Sequence, residues 1–278
     1  MIARQNRVYL WAGVAFALNW LLIVVLHPPH SANRVVEGIT IAIMLGSLFG
    51  NTAVAAAWAA LGPGHLIWRA PLSLFWVALL ACGIGLNTMI RGGPGNSVFM
   101  FGSLLLMQWA LLQVALWGLV FSQGMHLRHA EATNQGIDPR ERQFGLRQLI
   151  LLTAGIGVLF GIGRIVAPYF VETIGMVRRD QVVLVFLGIA EVILTLPLLL
   201  AALLKYRTLL AIALALLLVG LATVWEHQLL VLVSGPGAAG AGPNLFYAIN
   251  AGTAIVMLML LTIVRLNGYS LATSRGKS

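Results

Sequence analysis

Apolar residues in this chain gather into eight stretches, each about as long as a bilayer is thick, separated by short turn-like segments. A hydrocarbon core of about 30 Å takes about 20 helical residues at a rise of about 1.5 Å each. That ruler predicts spans near 8–26, 38–61, 72–90, 98–122, 148–168, 182–204, 207–225 and 245–267. None shows the strict alternation of a membrane β-strand. Helices, which satisfy their own backbone groups in lipid, are therefore expected. The separators are His27-Pro28-Pro29-His30, Gly62-Pro63-Gly64, Gly92-Gly93-Pro94-Gly95 and the stretch from Gly235 to Pro243. Only Lys205-Tyr206-Arg207 parts the sixth span from the seventh, which demands a tight hairpin. Apolar residues also continue from Leu229 to Val233 after Glu226-His227, so the seventh span ends either in a longer helix or in an interfacial segment.

The longest polar stretch, from Ser122 to Arg147, divides the chain into a first membrane half (1–122), a linker (123–147) and a second membrane half (148–278). Corresponding spans start 140, 144, 135 and 147 residues apart (8 to 148, 38 to 182, 72 to 207, 98 to 245). Four spans per half would make the halves parallel, related by an axis along the membrane normal. The competing explanation is chance, since any eight-span chain with one long middle loop has some such symmetry. The linker mixes charges of both signs without apolar periodicity and reads as a solvated loop, with at most a short surface helix.

Composition agrees with lipid as the main solvent. Hydrophobic residues make up 60% of the chain and charged ones 9%, with a mean hydropathy of +0.93; a soluble domain carries about 25% charge. The expected fold is an all-α membrane protein, a polytopic bundle of about eight transmembrane helices. Arg4 and Arg7 precede the first span as in a signal peptide, but the apolar run is long and His-Pro-Pro-His replaces a small-residue cleavage site. A retained helix is expected. Eight spans leave Arg34, Arg91, Arg164, Arg178 and Arg179 on one side, five against twelve of the 17 basic residues. The excess predicts a cell (inner) membrane protein with both termini cytoplasmic. The net charge of +9 then faces anionic headgroups at the cytoplasmic surface, and no nucleic acid is needed to explain it. Cys82, the single cysteine, excludes an internal disulfide. Trp11, Trp68, Trp117 and Trp225 fall near predicted helix ends and suit an interfacial belt.

Polar side chains inside spans carry the functional signal, because each costs desolvation. Glu191 lies nine residues into the sixth span, about 14 Å deep and near the midplane, among Val, Ile, Leu and Ala. Asn19, Gln108 and, nearer the cytoplasm, Asn51 lie at comparable depths. Pro197 lacks a backbone donor and is expected to kink the sixth helix. Arg164, at the end of the fifth span, is the expected ion-pair partner of Glu191, about 10 Å away along the axis. A glutamate that only locks helices, a substrate or proton-coupling site, and a misplaced span boundary are the competing readings. A weaker collection, His27, His30, Glu226 and His227, is metal-capable and sits at outer loop ends. His126 and His129 have helical i,i+3 spacing without a third ligand nearby, so no metal is assigned. All six histidines lie at span ends or in loops, which counts against haem. Gly235 to Gly242 lacks the Lys-Ser/Thr ending of a phosphate loop and reads as a linker. No cofactor is implied.

The segment from Arg142 through Phe144, Arg147 and the leucine run to Thr153 resembles the start of a helix in a group of uncharacterised bacterial multi-pass membrane proteins. The likeness extends over residues 142–164 and implies a membrane helix, with no activity attached. Gly157 with Gly161, and Gly46 with Gly50, have the spacing that lets membrane helices approach closely.

Two functions follow. One is small-solute or proton-coupled transport, in which Glu191, Asn19, Asn51 and Gln108 converge on a polar cavity. The other is a non-catalytic assembly or interaction subunit, with a membrane-protein partner or self-association, whose polar residues only join helices. An enzyme is not expected, since no paired carboxylates, metal-binding helix motif or Ser/Lys arrangement falls within the spans.

Overall fold

A computed structural model describes residues 2–25, 34–62, 66–90, 97–123, 125–129, 178–203, 208–234 and 243–273. These form seven helices: α1 (Ile2–Val25), α2 (Arg34–Leu61), α3 (Leu66–Ile90), α4 (Ser97–Gln123), α5 (Arg178–Leu203), α6 (Thr208–Ser234) and α7 (Pro243–Leu266). Two short strands accompany them, β1 (Met125–His129) after α4 and β2 (Tyr269–Thr273) after α7. Five helices contain stretches long and apolar enough to cross a membrane: Ile39–Leu61, Trp68–Ile90, Val98–Gln123, Ile212–Leu229 and Asn244–Leu266. Their outer faces present Phe75, Leu86, Val114, Leu217 and Ile255. An exterior so apolar fits a membrane protein, with lipid as its solvent.

Residue pairs fix the direction of each helix. Gln108 and Gln113 of α4 donate to Phe49 O and Ala56 O of α2, so α2 and α4 run parallel. Gly46 and Gly50 of α2 meet the α7 backbone around Gly252 and Thr253, again in parallel register. The Arg265 guanidinium, in the last turn of α7, donates to Ala202 O at the end of α5, which satisfies a terminal carbonyl and places a cation at the negative helix end. α2, α4, α5 and α7 are thus parallel and pack on one another as the centre of the bundle. α3 runs against α4, with Ser73 opposite Trp109 and Gly85 opposite Val98. α1 follows α3, tied by Trp20 Nε1 to Leu79 O and by Asn87 Nδ2 to Ile23 O and Val24 O. Because α4 and α5 are parallel, the end of α4 and the start of α5 lie at opposite ends of the bundle.

The α2–α7 seam is the most extensive helix contact, and glycine makes it possible. A Cβ at Gly46 would stand 2.6 Å from Gly252 C and Thr253 N, and one at Gly252 would stand 3.0 Å from Ala42 O. Backbones this close gain dispersion contacts that side chains would prevent. The glycine spacing read from the second span therefore does serve packing. Its counterpart, Gly157 with Gly161, lies outside the described residues.

Several expectations need correction. The 148–168 span, and Arg164 with it, lies outside the described residues. The linker does not open as a solvated loop or a surface helix. Its start is β1, paired antiparallel with β2 in a register that sets Leu127 opposite Leu271. Met125, Leu127 and Leu271 pack on the apolar core, so the period-2 alternation of a strand buries one face of the pair. Gly268, in the left-handed region (φ 86), makes the sharp turn from α7 into β2. The seventh span does not stop near 225, because no Gly or Pro interrupts the chain before Gly235. α6 runs unbroken to Ser234, which places Glu226 and His227 inside a helix and not at a loop end. α5 stays helical through Pro197. Trp117 is buried in the core and is no part of an interfacial belt, whereas Trp68 is largely exposed at the start of α3.

Gly46→Leu should lower the thermal stability of the detergent-solubilised protein by at least the 1–3 kcal/mol, roughly, of an overpacked core. Gly220→Ala, whose Cβ meets nothing within 4 Å, should be neutral or gain up to about 1 kcal/mol in helix propensity.

Candidate functional site

Polar side chains of α5, α6 and α7 come together inside this bundle. On α7, Asn250 and Thr253 are three residues apart and share a face. On α6, Thr223 and Glu226 have the same spacing. Thr223 Oγ1 returns its proton to Val219 O at 2.7 Å, which leaves its lone pairs free to accept. Asn250 Nδ2 donates to Glu226 Oε2 at 2.6 Å and to Thr223 Oγ1 at 3.3 Å. Glu191 stands midway along the 26-residue α5, and Thr195 Oγ1 donates to its backbone oxygen at 2.5 Å. The Thr253 hydroxyl faces the Glu191 carboxyl without closing a well-aligned hydrogen bond. Glu226 lies near enough for its charge to act on Glu191.

Glu191, Glu226, Asn250 and Thr253 are at most 2% exposed. Three of their oxygens, Glu191 Oε2, Asn250 Oδ1 and Thr253 Oγ1, have no hydrogen-bond partner among the described residues. An unsatisfied buried polar atom costs about 1–3 kcal/mol, and more when charged. The arrangement is a short staircase: Glu226 meets Asn250 at one level, and Thr253 with Glu191 follows about 4.5 Å deeper, three residues on along α7.

The amides singled out by depth behave differently. Asn51 Nδ2 bonds Ser47 O within its own helix at 2.7 Å. Gln108 Nε2 bonds Phe49 O at 3.3 Å across the α2–α4 seam. Asn19 is buried on α1, which packs chiefly on α3. Gln108 thus joins α4 to α2, while the bond of Asn51 stays within α2. A groove of about 380 Å³ does lie beside Glu191, between α5 and α6, but its lining is apolar, from Ala190, Ile193 and Leu194 across to Leu221 and Trp225. His27 and His30 lie outside the described residues, like Arg164. Of that outer-face collection, Glu226 instead joins Glu191, and the half-buried His227 keeps Nδ1 without a hydrogen-bond partner. The two carboxyls, assigned by sequence to different groups, belong to one cluster.

Asn250, Thr253 and Thr223 were missed. Each was legible as a polar residue inside an apolar run, and the paired i,i+3 spacings of Thr223 with Glu226 and Asn250 with Thr253 were the available signal. Which helix faces which, and so which polar stripes meet, does not follow from spacing. Comparison with protein-family models, curated proteins and solved structures finds no match.

A double-mutant cycle on Glu226→Leu and Asn250→Leu, read by unfolding in detergent, should give a coupling of about 0.6–1.7 kcal/mol, the range for membrane side-chain hydrogen bonds. Additive single losses would show that the 2.6 Å contact contributes nothing.

Proposed function

We propose that this chain is a multi-pass transport protein of the cell membrane, built of two four-helix halves with both termini cytoplasmic, which moves a small solute or protons through the polar cluster around Glu191. The observation that carries the reading is the placement of Glu191. It faces the bundle interior with a second carboxyl nearby, and one of its oxygens is left unpartnered. A glutamate serving only as helix glue would spend its oxygens on a neighbour, as Asn87 and Gln113 spend their amide donors on backbone carbonyls of adjacent helices. An assembly subunit is the second reading, favoured by those seam-joining amides, one of which, Gln108, also leaves an oxygen without a partner among the described residues.

Recurrence of the elements supports the two halves. α2 and α5 begin at Arg34 and Arg178, α3 and α6 end at Ile90 and Ser234, and β1 and β2 begin at Met125 and Tyr269, each pair 144 residues apart. The strand register repeats the same spacing by setting Leu127 opposite Leu271, as a two-fold axis through that pair requires. On this spacing Glu191, Glu226, Asn250 and Thr253 correspond to Ser47, Cys82, Leu106 and Trp109. The polar cluster thus belongs to one half, as expected of a site added to a scaffold. The parallel course of α4 and α5 supports an eighth crossing between them, for which 148–168 supplies an apolar run of the right length.

Topology is open to direct test. In a Cys82→Ser background, single cysteines at Gln123 and Arg178 should react with an impermeant maleimide from opposite sides of the membrane. Labelling from the same side would remove the eighth crossing. For function, Glu191→Gln reconstituted in proteoliposomes should abolish solute or proton flux, while Asn51→Ala should leave it within about twofold. Wild-type flux in a folded Glu191→Gln protein would sink the transport reading.

A further inference from the structure

We propose that Glu191, Glu226, Asn250 and Thr253 form a binding site for a sodium ion. The proposal rests on the reading of this cluster as a functional site, and it names what binds there.

The donor atoms decide the chemistry. The unpartnered Glu191 Oε2, Asn250 Oδ1 and Thr253 Oγ1, together with the Glu226 carboxyl, are all oxygens. Oxygen-only donor sets select hard cations over the transition metals that prefer imidazole or thiolate. Orientation of the Asn250 amide adds direction. Its nitrogen is committed to Glu226 and Thr223, so its oxygen is turned away from them and is free to meet a cation. Four side-chain oxygens on three helices are too few for calcium, which takes six to eight, and magnesium sheds its water reluctantly. A monovalent ion carries half that charge and gives up its water more readily.

Charge points the same way. Two carboxyls share the cluster, and the described basic side chains of α5, α6 and α7 do not neutralise them. Arg265 stands twelve residues beyond Thr253, about 18 Å along α7, and donates to Ala202 O. His227 follows Glu226 on α6, about 100° around the helix. One sodium ion balances one carboxylate, while Asn250 already donates to the other. The 144-residue counterparts, Ser47, Cys82, Leu106 and Trp109, carry no carboxylate, so they do not repeat the site.

The test is a thermal-unfolding titration of the purified full-length protein in nanodiscs. NaCl is raised against choline chloride at constant ionic strength, with KCl and CaCl₂ as parallel arms. The expected result is a saturable rise in Tm with sodium that exceeds those with potassium and calcium. Thr253→Val should weaken apparent sodium affinity about tenfold or more, and Thr253→Ser, which keeps the hydroxyl, should retain it. No sodium response in the folded wild type, a calcium-only response, or a response to lowered pH but not to sodium would each overturn the site. Because the readout is binding, sodium stabilisation without flux would leave the site standing and end the transport reading. Flux indifferent to sodium, with no stabilisation, would do the reverse.

Discussion

The backbone contact between α2 and α7 at Gly46 and Gly252 is the constraint on which the rest of this architecture depends. Lipid tails are as apolar as leucine, so burying leucine between helices gains little over leaving it in the bilayer. Close packing and interhelical hydrogen bonds must hold the bundle instead. Two helices that meet backbone to backbone lock both their register and their rotation, because no other pair among the described glycines repeats the fit. With α2 and α7 fixed, α4 and α5 complete a parallel core, while α3 and α6 pack against it from outside. The rotation of α7 that brings Gly252 against α2 also sets the direction of its neighbours Asn250 and Thr253. Packing and site are therefore two faces of one helix.

Polar groups inside the bundle divide by what their atoms do. Trp20, Asn87, Gln108 and Gln113 each donate to a carbonyl of an adjacent helix, and Trp109 donates to Ser73. Each converts a costly buried donor into a seam between helices. A second group, Glu191, Asn250 and Thr253, leaves buried oxygens without a hydrogen-bond partner among the described residues, as Gln108 also does at the α2–α4 seam. A buried acceptor left over costs stability. Spare oxygens within about one helical turn, drawn from α5 and α7 beside the second carboxyl on α6, are what a cation or a proton would use.

Strands at the bundle end add a constraint that helices alone lack. β1 and β2 follow the last helices of the two proposed halves, and their pairing closes the bundle at the end where Arg265 bonds α5. The central pair of the register, Leu127 opposite Leu271, is separated by 144 residues, the interval that the two proposed halves would share.

Apolar length alone specified the spanning helices, because a helix that must satisfy its backbone in lipid has little freedom in length. Seven of the eight expected spans appear as helices, most of them longer than read, and the eighth falls outside the described residues. Desolvation cost alone marked Glu191, which did prove to face the interior. Sequence could not reveal that Glu226 belongs beside it. The end of α6 was set too early, and partnership between helices depends on rotation about each axis, which lipid does not impose. That rotation is decided by contacts such as Gly46 on Gly252, between residues more than two hundred positions apart. The pairing of β1 with β2 was illegible for the same reason: five-residue runs carry too little pattern, and only the folded bundle brings them together. Sequence thus determined which segments are long and apolar enough for a membrane and which polar residues would be costly there. Tertiary structure decided which of those residues meet.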